Sequence, residues 1–128
     1  MTNRNPRETY LAATVATASP AQLLVMLYER LSLDLRRAID ALEAGNRDTA
    51  HQQLMHAQDI VVELRSTLKV DAWDGGPGLA ALYDYLLTEL ITANVQQDRD
   101  LAQACLVTVD ELREVWREAA LSLISASA

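Results

Sequence analysis

Apolar residues recur at spacings of three and four from Leu24 through Leu27, Leu31, Leu35 and Ala38 to Leu42, and the pattern restarts three more times along the chain. This is the period of one face of an α-helix, and no segment alternates over more than a few residues as a strand would. The first helix has a marked start at Ser19-Pro20-Ala21-Gln22. Ser19 is placed to accept a hydrogen bond from the backbone three residues on, and Gln22 to reach back, which makes a reciprocal capping box. Pro20 falls at the first helical position, where a missing N–H costs nothing.

The later joints are punctuated as clearly. The first helix is predicted over Pro20 to about Ala44, with Gly45 as its left-handed terminator. Asn46 or Asp48 caps the second, which carries Leu54, Ala57, Val61, Leu64 and Leu68 as a regular heptad and ends near Lys69. Asp71 to Gly78 forms the longest connection, with Gly75-Gly76-Pro77-Gly78 as its breaker. The third helix carries Leu79, Leu82, Leu86, Leu90 and Ala93 and ends near Gln96 or Gln97. Asp98 caps the fourth, whose expected inner line is Leu101, Cys105, Thr108, Leu112, Trp116, Ala119 and Leu123. Short joints between long helices favour antiparallel neighbours. The expected fold is all-α: an antiparallel up-and-down four-helix bundle over residues 19–125, preceded by a short leader over 1–18. At 128 residues the chain suits one domain with a single core.

Composition narrows the function by exclusion. A net charge of −7, with Lys69 as the sole lysine, does not suit a nucleic-acid surface, which needs clustered cations. No apolar run reaches the ~20 residues of a membrane helix, and the polar start Met1-Thr-Asn-Arg-Asn-Pro-Arg-Glu does not read as a signal peptide. The expectation is a cytoplasmic protein without membrane insertion. A lone cysteine, Cys105, among Ala104, Leu106 and Val109 reads as a small buried apolar residue rather than an activated thiol.

Catalytic constellations are thin. His51 and His56 are five apart and share a helix face poorly, so no metal site is expected. They are read as solvent-facing. A histidine phosphotransfer or other helical signalling bundle is the alternative reading, but the surroundings of His51 and His56 lack the lysine or glycine spacing such a site uses. Asp110, Glu111, Glu114 and Glu118 with Arg113 and Arg117 read as an ion-paired, solvated face. The Gly75–Gly78 run lacks the spacing of a phosphate loop. No cofactor is expected, and the chain is read as non-enzymatic.

Apolar residues nevertheless exceed one narrow stripe per helix. The third helix adds Tyr83, Leu87 and Ile91, the second Ile60 and Val62, and the first Val25, Met26, Tyr28 and Leu33. They form either a wide core face or an exposed apolar groove of the kind that marks a partner site. Trp116 is expected in the core. Trp73 is either a lid over the bundle end or an exposed contact.

The string Tyr10-x4-Val15-x-Thr17-Ala18-Ser19-Pro20, followed by Met26-Leu27-Tyr28, resembles the opening of the flagellar secretion chaperones, the FliS family. Ala57-Gln58-x-Ile60-Val61-x-x-Leu64, Leu82-Tyr83-Asp84-Tyr85-Leu86, Leu90-x-x-Ala93-Asn94 and Arg113-x-x-Trp116 resemble its later signatures, over about residues 8–120. The resemblance implies a small helical bundle that binds the disordered C-terminal segment of flagellin in the cytosol, prevents its premature polymerisation and assists delivery to the export gate of the flagellar type III apparatus. It also implies that Tyr10 and Val15 belong to an N-terminal segment lying over part of the client groove. The residues expected to touch the partner are therefore Tyr10, Val15, Met26, Tyr28, Ile60, Val62, Tyr83, Leu87 and Ile91, those on the second and third helices through apolar excess alone.

Replacing Ser19 with alanine removes a cap without touching the core and is expected to destabilise the fold by ~1 kcal/mol. A denaturant midpoint identical to that of the parent would refute the capping assignment.

Overall fold

The protein's structure, a computed structural model, describes residues 19–127, with side chains through Ser122. Tyr10, Val15 and the rest of the leader lie outside the described residues, as does the side chain of Leu123. Four α-helices account for most of the described chain: α1 (Pro20–Glu43), α2 (Arg47–Thr67), α3 (Gly76–Gln96) and α4 (Arg99–Ser127), with a 3-10 turn over Val70–Ala72 between α2 and α3. Among the described residues there is no strand.

The caps follow the side chains. The Gln22 N–H donates to Ser19 Oγ at 3.2 Å and the Ser19 N–H to Gln22 Oε1 at 2.8 Å, so both halves of the capping box form. Gly45 takes φ +74°, a region that L side chains avoid. Asn46 accepts from the Thr49 N–H at 3.2 Å to open α2, and Asp98 accepts from the Leu101 N–H at 3.1 Å at the start of α4. The α3–α4 joint lacks glycine. Gln97 adopts the left-handed conformation at φ 52°, and its side-chain amide donates to the Asn94 carbonyl at 2.8 Å.

The glycine-rich run behaves differently from the breaker expected of it. It starts α3 rather than preceding it, because Pro77 falls in the first turn, where no N–H is needed. Gly76 also lies against the 3-10 turn: a Cβ there would stand 2.0 Å from the Val70 carbonyl oxygen. Only glycine permits that approach.

Helix α1 packs on α2 and α4, α2 on α3, and α3 on α4, which closes a ring and leaves α1 and α3 across its diagonal. Cross-links give the directions. His51 meets Asn94 and Arg65 meets Asp84, so α2 and α3 run antiparallel. Ser32 meets Asp110 and Glu43 meets Arg99, so α1 and α4 do too. The core contains Leu31 and Leu35 of α1, Leu54, Val61 and Leu64 of α2, Leu86 and Leu90 of α3, and Cys105 and Val109 of α4. The buried line of α4 is rotated from the expected one: Ala102, Cys105, Leu106, Val109 and Ala120 are buried, while Ala119 is exposed. Because α4 packs on both α1 and α3, its buried sector centres between two neighbours rather than on one seam.

At the centre, across the diagonal, the hydroxyls of Tyr28 and Tyr83 share a hydrogen bond of 2.6 Å. Burial raises both phenols above their ordinary range, and for Tyr28 the bond to Tyr83 raises it further. Both remain protonated over the physiological range. Trp116 packs partly buried against this centre, its N–H without a hydrogen-bond partner among the described residues. The half-exposed Trp73 meets it edge to face, ring centroids 6.4 Å apart and planes at 76°. The loop tryptophan thus covers Trp116 while keeping one face in water. Burial, with Glu89 adding its charge, pushes the Cys105 thiol up to about 11, and an inert thiol results.

Tyr28→Phe or Tyr83→Phe each leaves a buried hydroxyl unpaired and is expected to cost about 1–3 kcal/mol in urea unfolding. The double variant is expected to cost less than the sum, because neither orphan remains. Additive costs would mean the two hydroxyls do not bond.

Candidate partner-binding surface

The expected contact residues divide by burial. Tyr28, Ile60 and Tyr83 are 0%, 6% and 2% exposed. Their apolar surface is spent on the core, which corrects the reading of them as surplus. Met26 and Leu87 are half-buried, whereas Val62 and Ile91 are 51% and 45% exposed. The wide-core explanation therefore holds for three residues and the open-surface explanation for Val62 and Ile91, with Leu87 between.

Val62, Leu87 and Ile91 fall on one side of the bundle, along the seam of α2 and α3. Leu87 and Ile91 are one turn apart on α3, and Asp84 and Asn94 extend the same line in both directions. On α2 the matching line is His51, Met55, Val62 and Arg65. Met55, 42% exposed, was not among the expected residues. Its place seven residues before Val62 is the signal that would have found it. Val62 and Leu87 flank an open cleft of about 340 Å³ whose floor includes the buried Val61 and Tyr83, with Leu68 also in its lining.

Polar contacts bound this apolar strip. At one end Arg65 Nε donates to Asp84 Oδ1 at 3.1 Å. At the other His51 Nδ1 and Asn94 Oδ1 are 3.1 Å apart. His51 and Arg65 stand fourteen positions apart, so the strip spans about 21 Å of helix. An amphipathic helix of some four turns matches that length. Nothing in the strip is nucleophilic, and among the described residues no group of three or more His, Cys, Asp or Glu is placed to hold a metal ion.

The opposite seams differ. On α1 the carboxylate of Asp34 is fully buried and held by Arg30 Nε at 3.0 Å and by His56 Nδ1 of α2. His51 and His56 are thus exposed in part, as expected, but both bond between helices. Ser32, also fully buried, donates to Asp110 Oδ1 at 2.6 Å and accepts from Arg36 at 2.9 Å, with Arg113 at 3.9 Å from the same carboxylate. Asp110 therefore links α4 to α1 rather than forming part of a merely solvated face. No helix among the described residues is long and apolar enough to cross a membrane.

A family model described as "Flagellar protein FliS" matches residues 3–122. The flagellar secretion chaperone FliS of Bacillus subtilis (strain 168) is 30% identical over 119 residues, covering 93% of this chain and 89% of the relative. That of Vibrio cholerae is 27% identical over 103 residues, covering 80% and 76%. Among solved structures, one titled "Crystal structure of flagellar chaperone from bacteria" superposes with a TM-score of 0.75 at 20% identity, covering 91% of this chain and 99% of that one, which shows the shared fold. With a family match over nearly its full length and a bundle of the same architecture, the chain belongs to the FliS family of flagellar secretion chaperones, a family of chaperones in flagellar export and not of enzymes.

Proposed function

We propose that the strip along α2 and α3 holds the C-terminal segment of flagellin in the cytosol, keeps it from polymerising and brings it to the flagellar export gate. The observation that supports this reading is the line of Met55, Val62 and Ile91, apolar and open to water, with the half-buried Leu87 between them, in a chain of the FliS family. A disordered client tail has amphipathic stretches that find no core of their own, and an apolar strip offers them one. Ordering the tail on binding opposes the gain from burial, so the complex holds tightly enough to protect yet releases at the export apparatus. The histidine phosphotransfer alternative finds no support at the site, since His51 and His56 are each engaged between helices.

The test is a calorimetric and circular-dichroism titration with a C-terminal flagellin fragment that is disordered alone. Binding is expected with gain of helix and a negative heat-capacity change. Ile91→Asp places a charge where the client would exclude water and is expected to weaken binding tenfold or more, roughly 1.4 kcal/mol at least. Leu87→Asp is expected to act likewise, with some loss of stability because Leu87 is half-buried. Normal binding by a folded Ile91→Asp protein would move the client to another face. No binding by the parent protein would overturn the proposed function.

A further inference from the structure

The polar capacity left at the α2–α3 cleft is lopsided. Its floor offers little: Val61 is apolar, and the Tyr83 hydroxyl is turned to that of Tyr28 in the core. Ser66, on the wall, donates to the carbonyl of Glu63 at 3.1 Å within its own helix. Arg65 is different. Only its Nε bonds Asp84, and its two terminal amino groups make no hydrogen bond among the described residues. The Arg65 side chain, which lines the cleft, is 41% exposed. A guanidinium presents five N–H donors in a planar fork suited to a carboxylate, so four of them stand open beside an apolar recess. The cleft between α1 and α4, of about 310 Å³, shows the contrast. There Arg99 engages two of its nitrogens, Nε on Glu43 at 2.9 Å and Nη1 on Asp100 at 3.4 Å.

We infer that Arg65 is a specificity-determining residue: the α2–α3 cleft takes a bulky apolar side chain of an amphipathic client helix, and Arg65 takes a side-chain carboxylate one turn away on that same helix. This rests on the function proposed above and adds the chemistry of the client. The cleft is roomy enough for such an anchor, since a water in the liquid occupies about 30 Å³. Spacing of three or four residues puts the anchor and the acid on one face of a helix. Asp84, 61% exposed, occupies Arg65 in the free protein and repels the incoming acid. Arg65, in exchanging Asp84 for a client carboxylate, thus favours clients that carry an acid at this point over clients that are merely apolar.

The pair gives the test its direction, because a merely structural bridge would respond alike to loss of either partner. With the C-terminal flagellin fragment as probe, Arg65→Gln is expected to weaken binding about tenfold and to flatten its salt dependence. Asp84→Asn is expected to leave binding unchanged or to tighten it about threefold. In fragments whose acidic residues are changed singly to Asn or Gln, one change is expected to weaken binding to the parent protein and to have no further effect on Arg65→Gln. Equal weakening by Arg65→Gln and Asp84→Asn, or no effect of Arg65→Gln in a protein that still binds, overturns the inference alone. A loss of binding on amidating the fragment's C-terminus, with no acidic side chain mattering, overturns it as well. Failure of the parent protein to bind any fragment overturns the client reading and this subsite together. Both residues are exposed in part, so the variants are expected to keep the parent's circular dichroism, which is the control for folding.

Discussion

The hydrogen bond between the hydroxyls of Tyr28 and Tyr83 sets the geometry of the bundle. It joins the two helices that stand across the diagonal, and so fixes how α1 and α3 are rotated about their own axes. With Tyr83 turned to the centre, Leu86 and Leu90 follow it inward, because they lie three and seven residues on. Asp84, Leu87 and Ile91, each one residue later, are turned by about 100° and come out on the α2 side. The partner strip is therefore a consequence of the core. A hydroxyl pair suits that role, because an unpaired buried hydroxyl is costly and a slipped register would orphan two.

The seams are held unequally. Those that involve α1 contain buried polar contacts, Asp34 with His56 of α2 and Ser32 with Asp110 of α4. Breaking either would strand a group in the interior, so these seams resist rearrangement. Among the described residues the α2–α3 seam has polar contacts at its rim alone, Arg65–Asp84 and His51–Asn94, of a kind that contributes little in water. The face offered to a partner is thus bounded by the contacts that most readily exchange one carboxylate or amide for another.

Much of this was legible in the sequence, and the limits have physical reasons. The capping box at Ser19, the terminator Gly45 and the caps Asn46 and Asp98 act locally, so local residues reveal them. The heptad from Leu54 to Leu64 is core throughout. Where a helix is apolar on more than one side, periodicity no longer says which side is in. Ile60 and Val62, or Tyr83 and Leu87, are equally apolar, and only packing decides that the first of each pair is buried. Polar burial leaves no pattern at all. Asp34 sits in α1 among Leu33 and Leu35 and looks like an ordinary surface acid until His56, from another helix, is placed beside it. The start of α3 was misread because Gly75-Gly76-Pro77-Gly78 suggests a break, whereas proline is welcome in a first turn and Gly76 is needed for close approach.

The central claim is that the client lies along the open apolar strip of α2 and α3. Methyl-detected NMR on the intact protein, titrated with a C-terminal flagellin fragment, tests it most directly. The account expects the largest shifts at Met55, Val62, Leu87 and Ile91, with Leu31, Leu35 and Val109 of the core little moved. Shifts centred instead on the exposed apolar residues of α4, Val107, Val115 and Leu121, would contradict it.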